Sequence, residues 1–266
     1  MPLQIIVMAK QVIDPEIPKA AFRIDPSSKQ VLVPSNFAPV VNGFDEHALE
    51  AALRIKDKQA ARVTALSAGK NFSINVMRKL LAMGADELIL VQDDRIADTI
   101  DSSVTAQILA AAVKKLEGFD LIFSGRQASD WDNAQVPLLL AEALGLPCMT
   151  IAKNIEVHDG KVRVTRVIPE GQEVVEAPLP ALITVSNEIG LPRYPTLRAT
   201  MAANRMRPTI WKASDLGLDL HQLQPHLELV NLYIPSNERQ CEFIEGSDER
   251  EVARELAQKL REARLI

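Results

Sequence analysis

The chain has 266 residues, 47% of them apolar and 24% charged, with 30 Lys and Arg against 35 Asp and Glu and a formal charge of -5. That size and composition supply a substantial core and exclude wholesale disorder, and the slightly acidic balance gives no electrostatic reason to bind nucleic acid. Two cysteines, Cys148 and Cys241, cannot form a disulfide framework or a metal knuckle, and no run of 18 apolar residues is present to insert into a membrane, so a cytoplasmic setting is expected.

From the N-terminus the sequence enters apolar residues directly, with neither a basic segment nor a small-residue cleavage site, so no leader peptide is expected. Apolar runs at 5–8, 63–66, 88–91, 121–123 and 182–185 suit strands buried on both faces. Between them lie helical patterns at three-to-four spacing: Ala48, Leu49, Ala52 and Leu53; then Ile74, Met77, Leu80 and Leu81; then Val104, Ile108, Leu109, Ala112, Val113 and Leu116. Gly84 and Gly118 stand where left-handed C-caps belong, and Asp101 or Ser102 where an N-cap does. This alternation predicts an α/β chain: three layers, α/β/α, around a mostly parallel sheet, with ligands beyond the carboxyl ends of the strands. After Pro208 the alternation fades, which predicts a nucleotide-binding α/β domain over 1–208 and an extended C-terminal arm over 209–266. The arm ends in a charged helix from Ser247 onward, with Val252, Leu256 and Leu260 in a narrow apolar stripe.

Three stretches could carry function. The first follows the strand at 121–123 and runs from Ser124 to Pro137 into an apolar helix. Gly125 permits close backbone approach, the free N–H groups near Asn133 to Val136 offer an anion site, and Asp130 and Asp132 could accept from ribose hydroxyls. Ser, Asp and Asn also make plain turns and caps, so both readings stand here. In the second, Val41 to His47, Asn42 or Asp45 either caps a helix or lines the other wall of the pocket. The third, Asn187 to Met201, carries two prolines, an Arg-Tyr pair, Leu191 and Leu197, and reads as an interface anchor or as a loop packed on its own domain. Signatures of dehydrogenases, P-loop enzymes, zinc proteases and α/β-hydrolases are missing, and His47, His158, His221 and His226 are scattered without a triad setting.

Taken together, these stretches resemble the beta subunits of electron transfer flavoproteins. The resemblance rests on P-R-Y-x-x-L-x-x-x-M at Pro192 to Met201 and on G-[KR]-Q-A-x-D-x-D at Gly125 to Asp132, with support from 5–14 and 82–86. It implies the adenine-nucleotide-binding, HUP-like form of the three-layer fold and an electron carrier rather than an enzyme. It also implies a heterodimer whose alpha subunit holds most of the FAD. Flavin dehydrogenases of the acyl-CoA type would donate electrons, and a quinone reductase or another acceptor would take them.

The beta site would hold AMP or a second FAD, the latter in members that bifurcate electrons. The implied pocket is Met8, Asn42, Gly43, Phe44, Asp45, Ala68, Gly125, Arg126, Gln127, Ala128, Ser129, Asp130, Trp131, Asp132, Asn133, Ala134, Gln135 and Val136. Pro192, Arg193, Tyr194, Leu197 and Met201 would dock the partner dehydrogenase. The chain departs from the common pattern at Ala134-Gln135-Val136-Pro137, where AMP-binding members have N-Q-T-G, at Val167, and at Ala202 and Asn204 to Arg207. Two other readings remain at this level. Ser124 to Asp130 loosely resembles the S-G-G-x-D-S loop of ATP pyrophosphatases, and a stand-alone nucleotide binder similar to universal stress proteins would leave the third stretch without a role.

Overall fold

The computed structural model describes residues 2–96, 101–223, 225–235 and 241–266. In chain order the elements are β1 (Leu3–Met8), β2 (Gln11–Val12), β3 (Arg23–Asp25), β4 (Gln30–Leu32), β5 (Val40–Val41), α1 (Gly43–Lys56), β6 (Ala61–Gly69), α2 (Ile74–Met83), β7 (Glu87–Gln92), α3 (Ser102–Lys115), β8 (Leu121–Gly125) and α4 (Val136–Leu144). There follow β9 (Cys148–His158), β10 (Lys161–Ile168), β11 (Gly171–Pro178), β12 (Ala181–Val185), α5 (Leu197–Ala203), β13 (Thr209–Trp211) and α6 (Glu249–Glu262).

Each expected apolar run lies inside a strand of one nine-stranded sheet, ordered β11-β10-β9-β12-β8-β1-β6-β7-β13. From β9 to β13 every neighbouring pair is parallel, and β10 and β11 extend the sheet as antiparallel hairpins. Side chains alternate across the sheet: Ile5, Val7, Val63 and Ala65 pack with α1 and α2, while Ile6, Met8 and Leu66 pack with α3 and α4. The expected three layers are therefore present, and each fully buried leucine or isoleucine contributes about 1.5–3 kcal/mol.

The strand order turns round at β1. The chain runs outward from β1 through β6 to β7 and then restarts at β8 on the other side of β1. Such a switch point opens a crevice outside the carboxyl ends of the strands. Met8, Gly69, Gly125 and Val185 mark those ends, and the loop 126–135 leaves from this place.

The expected helix starts and stops are borne out at several points. Asp101 caps α3 by accepting from the Ser103 backbone N–H, and Gly84 follows α2 with φ 134°. The chain forms two compact units, Met1–Leu232 and Tyr233–Ile266. The first retains β13, which lies beyond the 208/209 boundary expected from sequence and pairs with β7. In the second unit Asp248 caps α6 by accepting from the N–H groups of Arg250 (2.9 Å) and Glu251 (2.8 Å). No helix among the described residues is long and apolar enough to cross a membrane.

Candidate functional site

The first turn of α1 meets the end of β8 at the switch point. A Cβ built on Gly125 would stand 2.6 Å from both Asp45 Oδ1 and Phe44 Cβ, nearer than real side chains come. Glycine is thus demanded at this position by the close passage of α1. Asp45 exploits this proximity: its buried carboxylate accepts from the backbone N–H of Lys10 (2.8 Å) and of Gly125 (3.0 Å), tying the exit of β1 to the end of β8. Burial pushes the Asp45 carboxyl up to about 6, and bonds from Asn42, Lys10 and Gly125 hold it from rising further.

Asn42 occupies the N-cap position of α1, yet no side-chain cap bond forms there. Its Nδ2 instead donates to the Gln127 carbonyl (2.9 Å), and its Oδ1 accepts from the Ser129 N–H (3.3 Å). At 1% exposure this amide works as an internal template for the loop after β8. Of the two readings of the second stretch, the helix cap is not what Asn42 makes: Asn42 and Asp45 spend their side chains on the backbone of the loop after β8 and on the ends of β1 and β8.

The loop itself is self-bonded. Arg126 donates its backbone N–H to the Val185 carbonyl (2.8 Å) and its Nε to Gln127 Oε1 (2.6 Å), with its guanidinium 5.8 Å from the centre of the Phe44 ring. Gln127 Nε2 donates to the Asp132 carboxylate, and Lys10 Nζ pairs with Asp130 at 2.5 Å. Ala128 accepts the Asp132 N–H (2.9 Å), and the Trp131 N–H donates to Asp130 Oδ1 (2.9 Å). Asn133 Nδ2 donates to Ser102 Oγ (3.4 Å) at the start of α3.

Asp132 and Ala134 adopt left-handed φ of 57° and 54°. Aspartate tolerates that region, but alanine holds it only at a cost of about 1–3 kcal/mol where its surroundings insist. Left-handed residues in such a loop swing backbone N–H groups into a shared concavity. Directly afterwards α4 starts without a side-chain cap at Gln135, and Pro137 falls in its first turn as expected. The first N–H groups of α4 and its dipole are therefore available to an anion.

Met8 and Ala68 lie at the neighbouring ends of β1 and β6, packed on the α3 and α4 side. Gly43 is exposed, and a Cβ there would meet nothing. In its chemistry this set is compatible with an anion bearing hydroxyls: the uncapped start of α4 offers backbone N–H groups, and the Asp130 and Asp132 carboxylates, already accepting from Lys10 and Gln127 respectively, have further lone pairs to accept from hydroxyls. A separate open recess of about 330 Å³ lies at the β7 and β13 edge, lined by Gln92, Asp93, Asp94, Arg95, Ile210 and Lys212. Its Arg95 is already paired with Asp93 at 2.8 Å.

The third stretch is only partly a loop. Leu197 opens the short helix α5, capped by Thr196 Oγ1 accepting from the Ala199 N–H (3.1 Å), so Leu197 and Met201 share one helix face. Leu191, Tyr194, Leu197 and Met201 are 85%, 91%, 79% and 56% exposed. Pro192 and Arg193 are half-buried. Arg193 turns back into its own chain, to Glu50 (2.8 Å) on α1 and Asp57 (2.7 Å) at its C-cap. Sequence reasoning missed Lys10, Glu50, Arg54 and Asp57. The available signal was Glu50, a carboxylate set among the apolar positions of the first helical pattern, where a charge needs partners.

A family model described as "Electron transfer flavoprotein domain" matches residues 32–216. The chain is 34% identical to the electron transfer flavoprotein subunit beta of Thermoanaerobacterium thermosaccharolyticum, over 99% of this chain and all of that protein. It is 36% identical to the caffeyl-CoA reductase-Etf complex subunit CarD of Acetobacterium woodii, over 99% of this chain and all of that one. To the electron transfer flavoprotein subunit beta of Megasphaera elsdenii it is 40% identical, over 76% of each chain.

Proposed function

The chain belongs to the electron transfer flavoprotein family as a beta subunit, and from that premise we propose a cytoplasmic heterodimer in which it pairs with an alpha subunit holding most of the FAD. The dimer takes electrons from flavin dehydrogenases of the acyl-CoA type and delivers them to a quinone reductase or another acceptor. No side chain of this subunit makes or breaks a bond; its residues bind, orient and dock. The bound flavin supplies the electron-carrying chemistry.

In the crevice at the switch point the chain binds the adenosine phosphate moiety that AMP and FAD share. The loop from Gly125 to Val136 grips the phosphate and ribose, Asn42 and Asp45 hold that loop in shape, and Met8 and Ala68 form the apolar floor. The Ala134-Gln135-Val136 run, which resembles that of two-flavin members, supports a second FAD as the occupant. Pro137 in place of glycine withdraws a donor and leaves AMP as the other occupant.

The observation that carries the electron-carrier reading is the exposure of Leu191, Tyr194, Leu197 and Met201 beside one another in sequence. A water-facing apolar cluster on a positioned segment is what a partner's pocket requires. Co-expression with a candidate alpha subunit tests the reading. A flavin-containing partner of about equal size should co-purify, and denaturation should release either one FAD with one AMP or two FAD per dimer. A chain that purifies alone, without nucleotide, contradicts it.

A further inference from the structure

Below the exposed apolar cluster, two residues of α1 and the Asp57 that caps its end form a charged seat. Glu50, Arg54 and Asp57 are spaced four and three apart and so lie on one helix face. Glu50 is 5% exposed, and its carboxylate accepts from the Arg193 backbone N–H (3.1 Å), Arg193 Nε (2.8 Å), Arg193 Nη2 (3.4 Å) and Arg54 Nε (2.8 Å). Arg193 Nη2 also donates to Asp57 Oδ2 at 2.7 Å. Arg54 reaches up to the segment as well, donating Nη1 to the Ile189 carbonyl and Nη2 to the Leu191 carbonyl (3.3 Å). Gly190, with φ 97°, lets the backbone lie against Arg54: a Cβ there would stand 3.2 Å from Nη2. Burial alone would raise the Glu50 carboxyl, but the bonds from Arg193 and Arg54 outweigh it and keep it below its ordinary value, so the seat is charged at neutral pH.

These bonds do not bury the cluster above them. Leu191 and Tyr194 flank Arg193 and remain 85% and 91% exposed. The clamp therefore fixes the backbone of residues 189–193 while leaving the apolar side chains free for a partner. An exposed anchor on a loose segment loses affinity to the ordering of that segment on binding, and a segment ordered in advance does not.

We propose that Glu50, with Arg54 and Asp57, is a positioning residue for docking: it holds Arg193 and the carbonyls of Ile189 and Leu191 so that the apolar cluster is presented to a flavin dehydrogenase in its bound conformation. Glu50 touches neither nucleotide nor partner and acts through the loop. This inference rests on the docking role of that segment, and the experiment separates the two.

The test uses the assembled flavoprotein and its dehydrogenase, comparing Glu50→Gln, Leu197→Ala and the double variant by the KM for the flavoprotein and by kcat. Reduction by a small chemical reductant and FAD content serve as controls. Glu50→Gln should raise KM by roughly five- to tenfold with kcat and both controls unchanged, and should add little in the Leu197→Ala background. If Leu197→Ala raises KM and Glu50→Gln does not, the clamp is refuted. If Leu197→Ala itself leaves KM unchanged, the docking role is refuted. Should Glu50→Gln fail to fold, Arg193→Lys, which keeps the charge and loses the planar fork, is read by the same KM criterion.

Discussion

The two ends of α1 support opposite kinds of surface. At its start Asn42 and Asp45 are buried and bond the backbone at the end of β8 and in the loop after it, so the wall of the neighbouring crevice is fixed in one backbone conformation. Toward its end Glu50, Arg54 and Asp57 hold a segment whose apolar side chains stay in water. The first arrangement suits a small charged ligand, which needs directed donors in a desolvated place. The second suits a protein partner, which needs apolar area on a prepared backbone. At 1.5 Å per residue Asp45 lies about 7 Å along the helix from Glu50 and about 18 Å from Asp57, but among the described residues the two groups share no hydrogen-bond partner: Asn42 and Asp45 engage Lys10, Gly125, Gln127 and Ser129, whereas Glu50 engages Arg54 and Arg193. Changes at one end should leave the other unaltered.

The strongest way to break the comparison is Gly125→Ala. Its Cβ must displace Asp45 or Phe44, and overpacking of this kind costs about 1–3 kcal/mol. We expect a lowered melting temperature and loss of nucleotide per folded chain, measured by scanning calorimetry and by chromatography of the denatured protein. Docking, expressed per folded molecule, should not change. Asp132→Ala or Asn133→Ala should act more locally, weakening nucleotide retention by about 1–3 kcal/mol through a lost buried contact. Unchanged nucleotide content in both variants would place the site elsewhere.

Asp45 sharpens the comparison through pH. Its folded value, about 6, lies above its ordinary 3.8, so the protonated folded form is favoured. The resulting stabilisation is full below about 4 and is lost as pH rises through 6. Asp45→Asn removes this dependence. Urea unfolding from about pH 4 to about pH 7 should therefore show the variant gaining on the parent by at most about 1.4 kcal/mol per pH unit, then levelling off. A constant difference across that range would mean that Asp45 is not held neutral by burial. The smallest effect is expected at Asp57→Asn, an exposed carboxylate whose ion pair is worth about 0–1 kcal/mol: melting should barely move, and docking should weaken slightly.

The parallel strands β1, β6, β7, β8 and β12 were legible because each carries consecutive apolar residues, as at Ile122 and Phe123 or Leu182 and Ile183, which a strand covered on both faces buries; β9, whose buried Met149, Ala152 and Ile155 are irregularly spaced, was not. The hairpins β10 and β11 were not read, although Lys161-Val162-Arg163-Val164 alternates with period two and both valines are fully buried. Three residues between Pro208 and Lys212 offered too short a pattern to predict β13. At the crevice the polar loop was visible as a composition, but the bond from Asn42 to Gln127 spans 85 residues and could be found only in three dimensions. The same holds for Glu50 and Arg193, 143 residues apart, which turned an arginine expected at the docking surface into part of its support.

The most direct test of two separable sites on one helix is Leu197→Ala, with dehydrogenase-coupled reduction, flavin and nucleotide content, and melting temperature measured on the same preparation. Leu197 is 79% exposed and adds little to the core, so truncation should cost a partner pocket about 2 kcal/mol, roughly a thirtyfold weaker complex. The account predicts that loss of coupling with cofactor content, spectrum and melting nearly unchanged. A large fall in melting temperature with normal coupling per folded molecule would contradict it.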